Sequence, residues 1–377
     1  MLSVETARER AVPAARRSGG NLWRITKYTL VKGTTLLITV IIAVYLTILI
    51  ANMGGYVDKM RESELRFQIA EEINQNEELR LLTVQERKTY EEEVFRVRAK
   101  QLGLDRPFIV KSFIYLWNGL TLNLGRAIHL TSDAGSAYVD NIIGERLAPT
   151  LLVMASSQLL LFFSAMFFAL FLSRRYGSRL DRLVVAMAPT SAAPAWFYGI
   201  FLIMIFAAVL HWLPFGGMID APPPPGFWAK VGSIIKHLIL PISAFVASSF
   251  WLSSYYWRTF FLIHSSEDYV DMAKAKGLTG RAIERRYVLR PTLPTIITSF
   301  AMTLIGLWTG AIVFETVFNW PGLGRLTQQA INMFDTPVIV GVTVIYAYLL
   351  ALTLFLLDIV YAIVDPRVKL GGGENGS

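Results

Sequence analysis

The sequence predicts an all-α fold: a polytopic membrane protein with six transmembrane helices and an extracytoplasmic helical insertion. Three observations carry this. Hydrophobic residues make up 54% of the 377 positions and charged residues 17%, with a mean hydropathy of +0.45; soluble domains carry about 25% charged residues. Six stretches reach the roughly 20 mostly apolar residues that a spanning helix requires. Lysine and arginine collect in alternate loops, as the positive-inside rule expects of a chain that crosses repeatedly.

The six stretches follow in order. The first, 33–52, carries no charge. The second covers 149–173. The third covers 183–210, with Pro189 and Pro194 near its start. The fourth, 234–257, contains Pro241. The fifth covers 294–318 and the sixth 338–364. Proline kinks a spanning helix, and neighbouring helices satisfy the freed carbonyl. The implied organisation is an N-terminal arm over 1–32, a first span over 33–53, an insertion over 54–148, a five-helix core over 149–364 containing a long loop at 259–293, and a tail over 365–377.

Orientation comes from the basic residues of the short loops. The N-terminal arm holds Arg8, Arg10, Arg16, Arg17, Arg24, Lys27 and Lys32. The loop after the second span holds Arg174, Arg175, Arg179 and Arg182, and the loop after the fourth holds Arg258, Lys274, Lys276, Arg281, Arg285, Arg286 and Arg290. The tail adds Arg367 and Lys369. The remaining loops contribute Lys230 and Arg325. Both termini and the 259–293 loop are therefore expected on the cytoplasmic side of a cell membrane.

The 54–148 segment is too long for its charges to count in that rule, and it falls on the extracytoplasmic side. Its first half is rich in Glu, Arg and Gln. Thr83 followed by Glu86 has the spacing of a capping box, so two helices are expected, over 57–80 and 84–102. Leu65, Ile69 and Ile73 recur at helical spacing and give one packed face. The segment reads as a solvated helical cap, or as a docking surface for an extracellular partner. Pro222 to Pro225 form a stiff, extended connector.

Several functions are excluded or weakened. With no cysteine there is no disulfide, thiolate nucleophile or Cys-based metal site. The polar, basic arm of about thirty residues is too long a lead for a cleavable signal peptide. The net charge of +8 would suit nucleic acid, but the loop asymmetry accounts for it, so the lipid bilayer and not nucleic acid is the expected partner. His129, His211, His237 and His264 are scattered, without metal-ligand spacing. No phosphate-binding Gly-rich loop occurs, so this chain is expected to bind no cofactor or metal. Glu315 and Asp358 are the strongest intramembrane charges and are functional candidates by default; both fall near helix ends, where a structural role at the interface is the competing reading. A multi-span membrane enzyme remains the alternative class, and the missing catalytic constellations count against it.

The 259–293 loop offers more. Helix-forming residues run from Asp268 to Lys276, and Gly277 supplies a C-terminal stop. Ala273 and Gly277 lie on one face at i, i+4. Small residues there would permit close approach to another protein. An interfacial helix lying on lipid is disfavoured, since only Tyr269, Val270 and Met272 are large and apolar.

This loop resembles the coupling segment of bacterial ABC importer permeases, written Glu-Ala-Ala, three residues, then Gly. Here the pattern falls on Asp271, Met272 and Ala273, then Gly277; the first two positions depart from it. Asp268, Tyr269 and Val270 leading to Ala273 through Leu278 resemble the peptide-importer branch. Gly103 to Pro107, Arg146 to Leu151, Glu315 to Gly324 (with Pro321 and Gly322), and Asp358 with Tyr361, Ala362, Asp365, Pro366 and Arg367 resemble further family segments. Together they cover 103–369 in order and identify the chain as similar to the dipeptide/oligopeptide permease family, first-subunit type. Residues 57–82 lie beyond the common pattern.

The resemblance implies a non-enzymatic translocation subunit. It would work with a second homologous permease, two cytoplasmic ATPases that carry ATP and Mg, and an extracytoplasmic substrate-binding protein. Family members carry peptides, and also oligosaccharides or nickel; peptides are the expected cargo. Asp268, Tyr269, Asp271, Ala273, Lys274, Lys276 and Gly277 are the expected ATPase contact, with Arg285 and Arg286 either joining it or anchoring to anionic lipid.

Overall fold

The computed structural model describes residues 19–52, 56–76, 79, 83–101, 103, 106–307 and 312–364. The described elements are helices: α1 (Gly19–Asn52), α2 (Tyr56–Gln75), α3 (Val84–Gln101), α4 (Phe108–Leu120), α5 (Val139–Ser173), α6 (Arg179–Met187), α7 (Ala195–Leu202), α8 (Phe227–Ser265), α9 (Asp268–Ala275), α10 (Gly280–Ile283), α11 (Arg290–Ile305), α12 (Ile312–Val317), α13 (Leu323–Asn332) and α14 (Thr336–Val364). Among these residues, β pairing is confined to one isolated antiparallel bridge, Arg126 with Tyr138.

Among the described residues five helical segments are long and apolar enough to cross a membrane: Leu30–Ile50, Val139–Ser173, Phe227–Ser265, Gly280–Ile305 and Thr336–Leu357. A sixth crossing exists if a bent pair, Arg179–Ala192 with Ala195–Val209, counts as one span. Several helices outrun their expected limits. α5 begins at Val139 rather than 149, and α8 has 39 residues. At 1.5 Å per residue α8 is roughly 58 Å long, well beyond a hydrocarbon core of about 30 Å. Pro149 and Pro241 lie inside these helices without ending them.

Two expected spans need correction. The third is not one helix over 183–210. It turns by 95° between Ala192 and Ala195, because Pro194 lacks an amide proton and forces Ala193 into extended backbone, ψ 130°. The fifth does not run to Phe318. Its regular helix ends at Ile305, capped by Gly306. A separate short helix, α12, packs on α7 and α13.

The core is divided. Val139, Ile142 and Ile143 at the start of α5 pack against Leu323, Leu326 and Ala330 of α13 and Val338 and Val342 of α14. Val153 and Met154 further along α5 meet Leu238 and Ala244 of α8, with Phe314, Phe318 and Trp320. Phe162, Met166 and Ala169 near the far end of α5 meet Phe261, Val270, Val288 and Ile296. Val40, Val44 and Ile48 place α1 against Tyr115 of α4 and Val344 of α14.

Tyr56–Gln75 and Val84–Gln101 are helical, as the composition and capping box of this segment predict. Leu65, Ile69 and Ile73 pack with Tyr90, Val94, Phe95 and Ala99. At the start of α3, Thr83 N–H donates to Glu86 Oε2 at 2.9 Å and Glu86 N–H donates to Thr83 Oγ1 at 3.4 Å. The Thr83 hydroxyl also donates to Glu86 Oε2, at 2.7 Å; this bond first, and then the Thr83 N–H bond, hold the Glu86 carboxyl below its ordinary pKa.

Candidate functional site

The loop between α8 and α11 is built around α9. Asp268 and Asp271 sit in its first turn and Lys274 in its last, complementing the helix dipole. Val270 and Ala273, three residues apart, turn inward and are each 1% exposed. Val270 packs into the cluster of Phe162, Phe261, Val288 and Ile296. Asp268, Asp271, Met272, Lys274 and Lys276 form the exposed face, with Lys274 Nζ donating to Asp271 Oδ1 at 2.8 Å. Tyr269 is half-buried, its hydroxyl donating to the His264 carbonyl at 3.5 Å. Burial raises the Tyr269 phenol above its ordinary pKa, and the Glu267 carboxylate adds to this.

Two sequence readings of this segment change. Ala273 is small because its own chain packs over it, so its side chain is not part of the exposed surface. Gly277 is required by backbone conformation rather than by space. Its φ is +73°, and a Cβ added there would meet nothing within 4 Å. Gly277 N–H donates to the Lys274 carbonyl at 2.9 Å and Leu278 N–H to the Ala273 carbonyl at 3.3 Å. This is the Schellman arrangement that ends a helix on a left-handed residue.

Charged pairs that sequence reading missed brace this loop. Arg258, in the last two turns of α8, grips Asp181 of α6 with both ends of its guanidinium; the Nη2 bond to Asp181 Oδ2 is 2.7 Å and Nε bonds Oδ1. Both residues are buried. Gly177 N–H also donates to Asp181 Oδ2, at 2.9 Å. Arg174, at the end of α5, pairs with Glu284 at 3.0 Å. The signal for Asp181 was present: it is the single acidic residue among the arginines of the 174–182 loop.

A second constellation surrounds Glu315, which does not reach an interface as its helix-end position suggested. It is fully buried. Thr150 Oγ1 donates to Glu315 Oε1 at 2.9 Å, and Arg325 N–H donates to Oε2 at 3.0 Å. Thr150 Oγ1 also accepts from Leu323 N–H at 2.7 Å, and Trp320 Nε1 donates to the Pro149 carbonyl at 2.8 Å. Gly322 is closed in by this knot, since a Cβ there would overlap both Glu315 Oε2 and Thr150 Oγ1. At Gly324 a Cβ would lie 3.0 Å from Glu315 Oε2. Pro321 is half-buried beside them. The carboxylate thus satisfies the first turn of α13 and ties it to Thr150 of α5, next to Pro149.

Asp335 plays a comparable part. It is buried, and its Oδ2 accepts from the backbone N–H groups of Ile128, His129 and Leu130 at 3.0, 2.8 and 3.0 Å. Asp358 falls within α14; its side chain, with Asp365 and Pro366, lies outside the described residues. The histidines are not brought together. Among the described residues no three or more His, Cys, Asp or Glu side chains are placed to hold a metal ion.

Known proteins resemble this chain in sequence. A putative peptide permease protein of Brucella suis is 31% identical over 272 residues, covering 72% of this chain and 82% of its own length. The oligopeptide transport system permease protein AppB of Bacillus subtilis is 30% identical, covering 72% of this chain and 83% of its own. The probable D,D-dipeptide transport system permease protein DdpB of Escherichia coli is 31% identical, with 73% and 84% covered. The family described as binding-protein-dependent transport system inner membrane component matches residues 147–370. That match takes in the α9 loop and the Glu315 knot and leaves α2 and α3 outside, and it makes this chain a member of that family of multi-pass membrane permeases.

Proposed function

We propose that this chain is the translocating permease of an ATP-driven importer of peptides. Cytoplasmic ATPases would press on α9, and a binding protein would deliver cargo at the opposite face. The observation that carries this is the two-sided character of α9. One face presents Asp268, Asp271, Met272, Lys274 and Lys276 to a partner. The other is locked by Val270 into a cluster made of α5, α8 and α11. A push on the exposed ridge therefore acts on three spanning helices at once, as a two-state access switch requires. Peptides are the cargo named for several relatives of 30% identity or more.

The expected assembly has a second permease of similar kind, two ATPases carrying ATP and Mg, and a substrate-binding protein. Both termini and α9 are assigned to the cytoplasm by the arginine asymmetry. Affinity purification of this chain from native membranes should bring down ATPase subunits. The purified complex in proteoliposomes should accumulate peptide only with ATP and the binding protein. Purification without any ATPase, or uptake indifferent to ATP, would overturn the assignment.

A further inference from the structure

A pocket of about 370 Å³ opens between α5, α8 and α11. Its walls include Gln158 and Phe162 from α5, Ser253 and Trp257 from α8, and Ser299 and Thr303 from α11. All three helices belong to spanning segments, so the pocket lies along the membrane crossing. Its chemistry is unlike that of a lipid-facing groove. Among the described residues, none hydrogen-bonds the Gln158 amide or the hydroxyls of Ser253 and Ser299. An amide left unpaired against hydrocarbon is strongly disfavoured. These groups therefore face water or cargo.

The rest of the lining limits what that cargo is. Among the described residues no Asp, Glu, Lys, Arg or His lines the pocket, so these walls offer no charge to select by. Phe162 and Trp257 meet edge to face, with ring centroids 5.7 Å apart, and supply apolar walls. Uncharged donors and acceptors beside aromatic faces suit the amides of a peptide backbone together with apolar side groups. Phe162 and Trp257 also belong to the cluster that seats Val270 of α9. The pocket wall and the exposed ridge of α9 are thus two surfaces of one packed unit.

We infer that this pocket is where the travelling peptide touches this subunit, recognised through uncharged amide groups rather than charge. The inference rests on the peptide-importer reading above. The absence of native cysteine provides the test. In the complete transporter in proteoliposomes, Ser253→Cys should react with a charged methanethiosulfonate reagent about tenfold faster than Leu160→Cys, which lies at an exposed apolar position of α5. Trialanine with ATP and the binding protein should slow that reaction. Gln158→Leu should lower trialanine uptake about tenfold with ATPase activity retained. If Ser253→Cys disrupts assembly, Ser299→Cys replaces it.

Modification by N-ethylmaleimide alone would place the pocket against lipid and overturn the inference. So would labelling unaffected by trialanine, or wild-type uptake in Gln158→Leu. These failures leave ATP-driven uptake by the unmodified complex intact. Loss of the importer reading itself would appear as absent uptake in the unmodified complex, and the pocket assignment would fall with it.

Discussion

Residues 315–325 show how much a single atom position matters. Gly322 lies where Glu315, Thr150 and the first turn of α13 converge, so Gly322→Ala forces a methyl into occupied space. Overpacking of this kind costs about 1–3 kcal/mol, and the displaced carboxylate adds to it. Glu315→Ala acts differently, because it strands the Arg325 N–H and the Thr150 hydroxyl at about 1–3 kcal/mol for each unsatisfied group. Both variants should unfold at lower temperature in detergent, as read by tryptophan fluorescence. Glu315→Gln keeps an acceptor and should lose less. Equal stability of all three would remove the knot from the account. At Gly277 the argument is conformational, since a non-glycine residue at φ +73° costs about 1–2 kcal/mol. Gly277→Asn should therefore retain more uptake than Gly277→Val, whereas a purely steric requirement would penalise both.

Elements add couplings that no local pattern reveals. The Arg258–Asp181 pair joins α8 to α6. Arg258→Ala leaves a buried carboxylate unpaired, which costs about 3–5 kcal/mol. The double variant Asp181→Ala with Arg258→Ala should be more stable than Arg258→Ala alone, and a double-mutant cycle on the unfolding midpoint measures the difference. Additive losses would show the two side chains to be independent. Apolar runs placed six spans in the sequence, because burial in lipid needs only composition and length; five of them correspond to long apolar helices among the described residues. Pro194 was visible too, yet its 95° turn was not, since proline in a spanning segment kinks or breaks it according to what packs nearby. Thr150 with Glu315, Asp181 with Arg258 and Asp335 with Ile128 to Leu130 are separated by 165, 77 and more than 200 positions. Nothing in spacing announces such pairs. The capping box at Thr83 and Glu86 was legible because both partners lie within one turn. Its hydrogen bonds depress the Glu86 pKa, so their contribution is present above the unfolded carboxylate pKa and is lost as pH falls through the folded value. Hydrogen exchange at the start of α3 should separate the native chain from Glu86→Ala near neutral pH and merge them in acid.

The whole molecule divides between α9, braced by α5, α8 and α11, and the Glu315 knot, which sits at the other end of the α5 core. α5 links them: Thr150 and Pro149 belong to the knot, Phe162 and Met166 to the cluster holding Val270. A continuous 35-residue helix shared by both regions transmits displacement from one side of a membrane to the other only if those sides are opposite. The arginine asymmetry argues for a cytoplasmic α9, and an odd number of crossings separates it from α2 and α3 if the bent α6–α7 pair crosses. Single cysteines test this in a chain that has none. Lys276→Cys and Lys88→Cys replace exposed side chains in the α9 loop and in α3. In intact cells an impermeant maleimide should label Lys88→Cys after removal of any outer barrier and spare Lys276→Cys. In inverted vesicles the pattern should reverse. Labelling of both from one side would mean that the bent pair turns back without crossing, and the lever joining α9 to the knot would then begin and end on the same face.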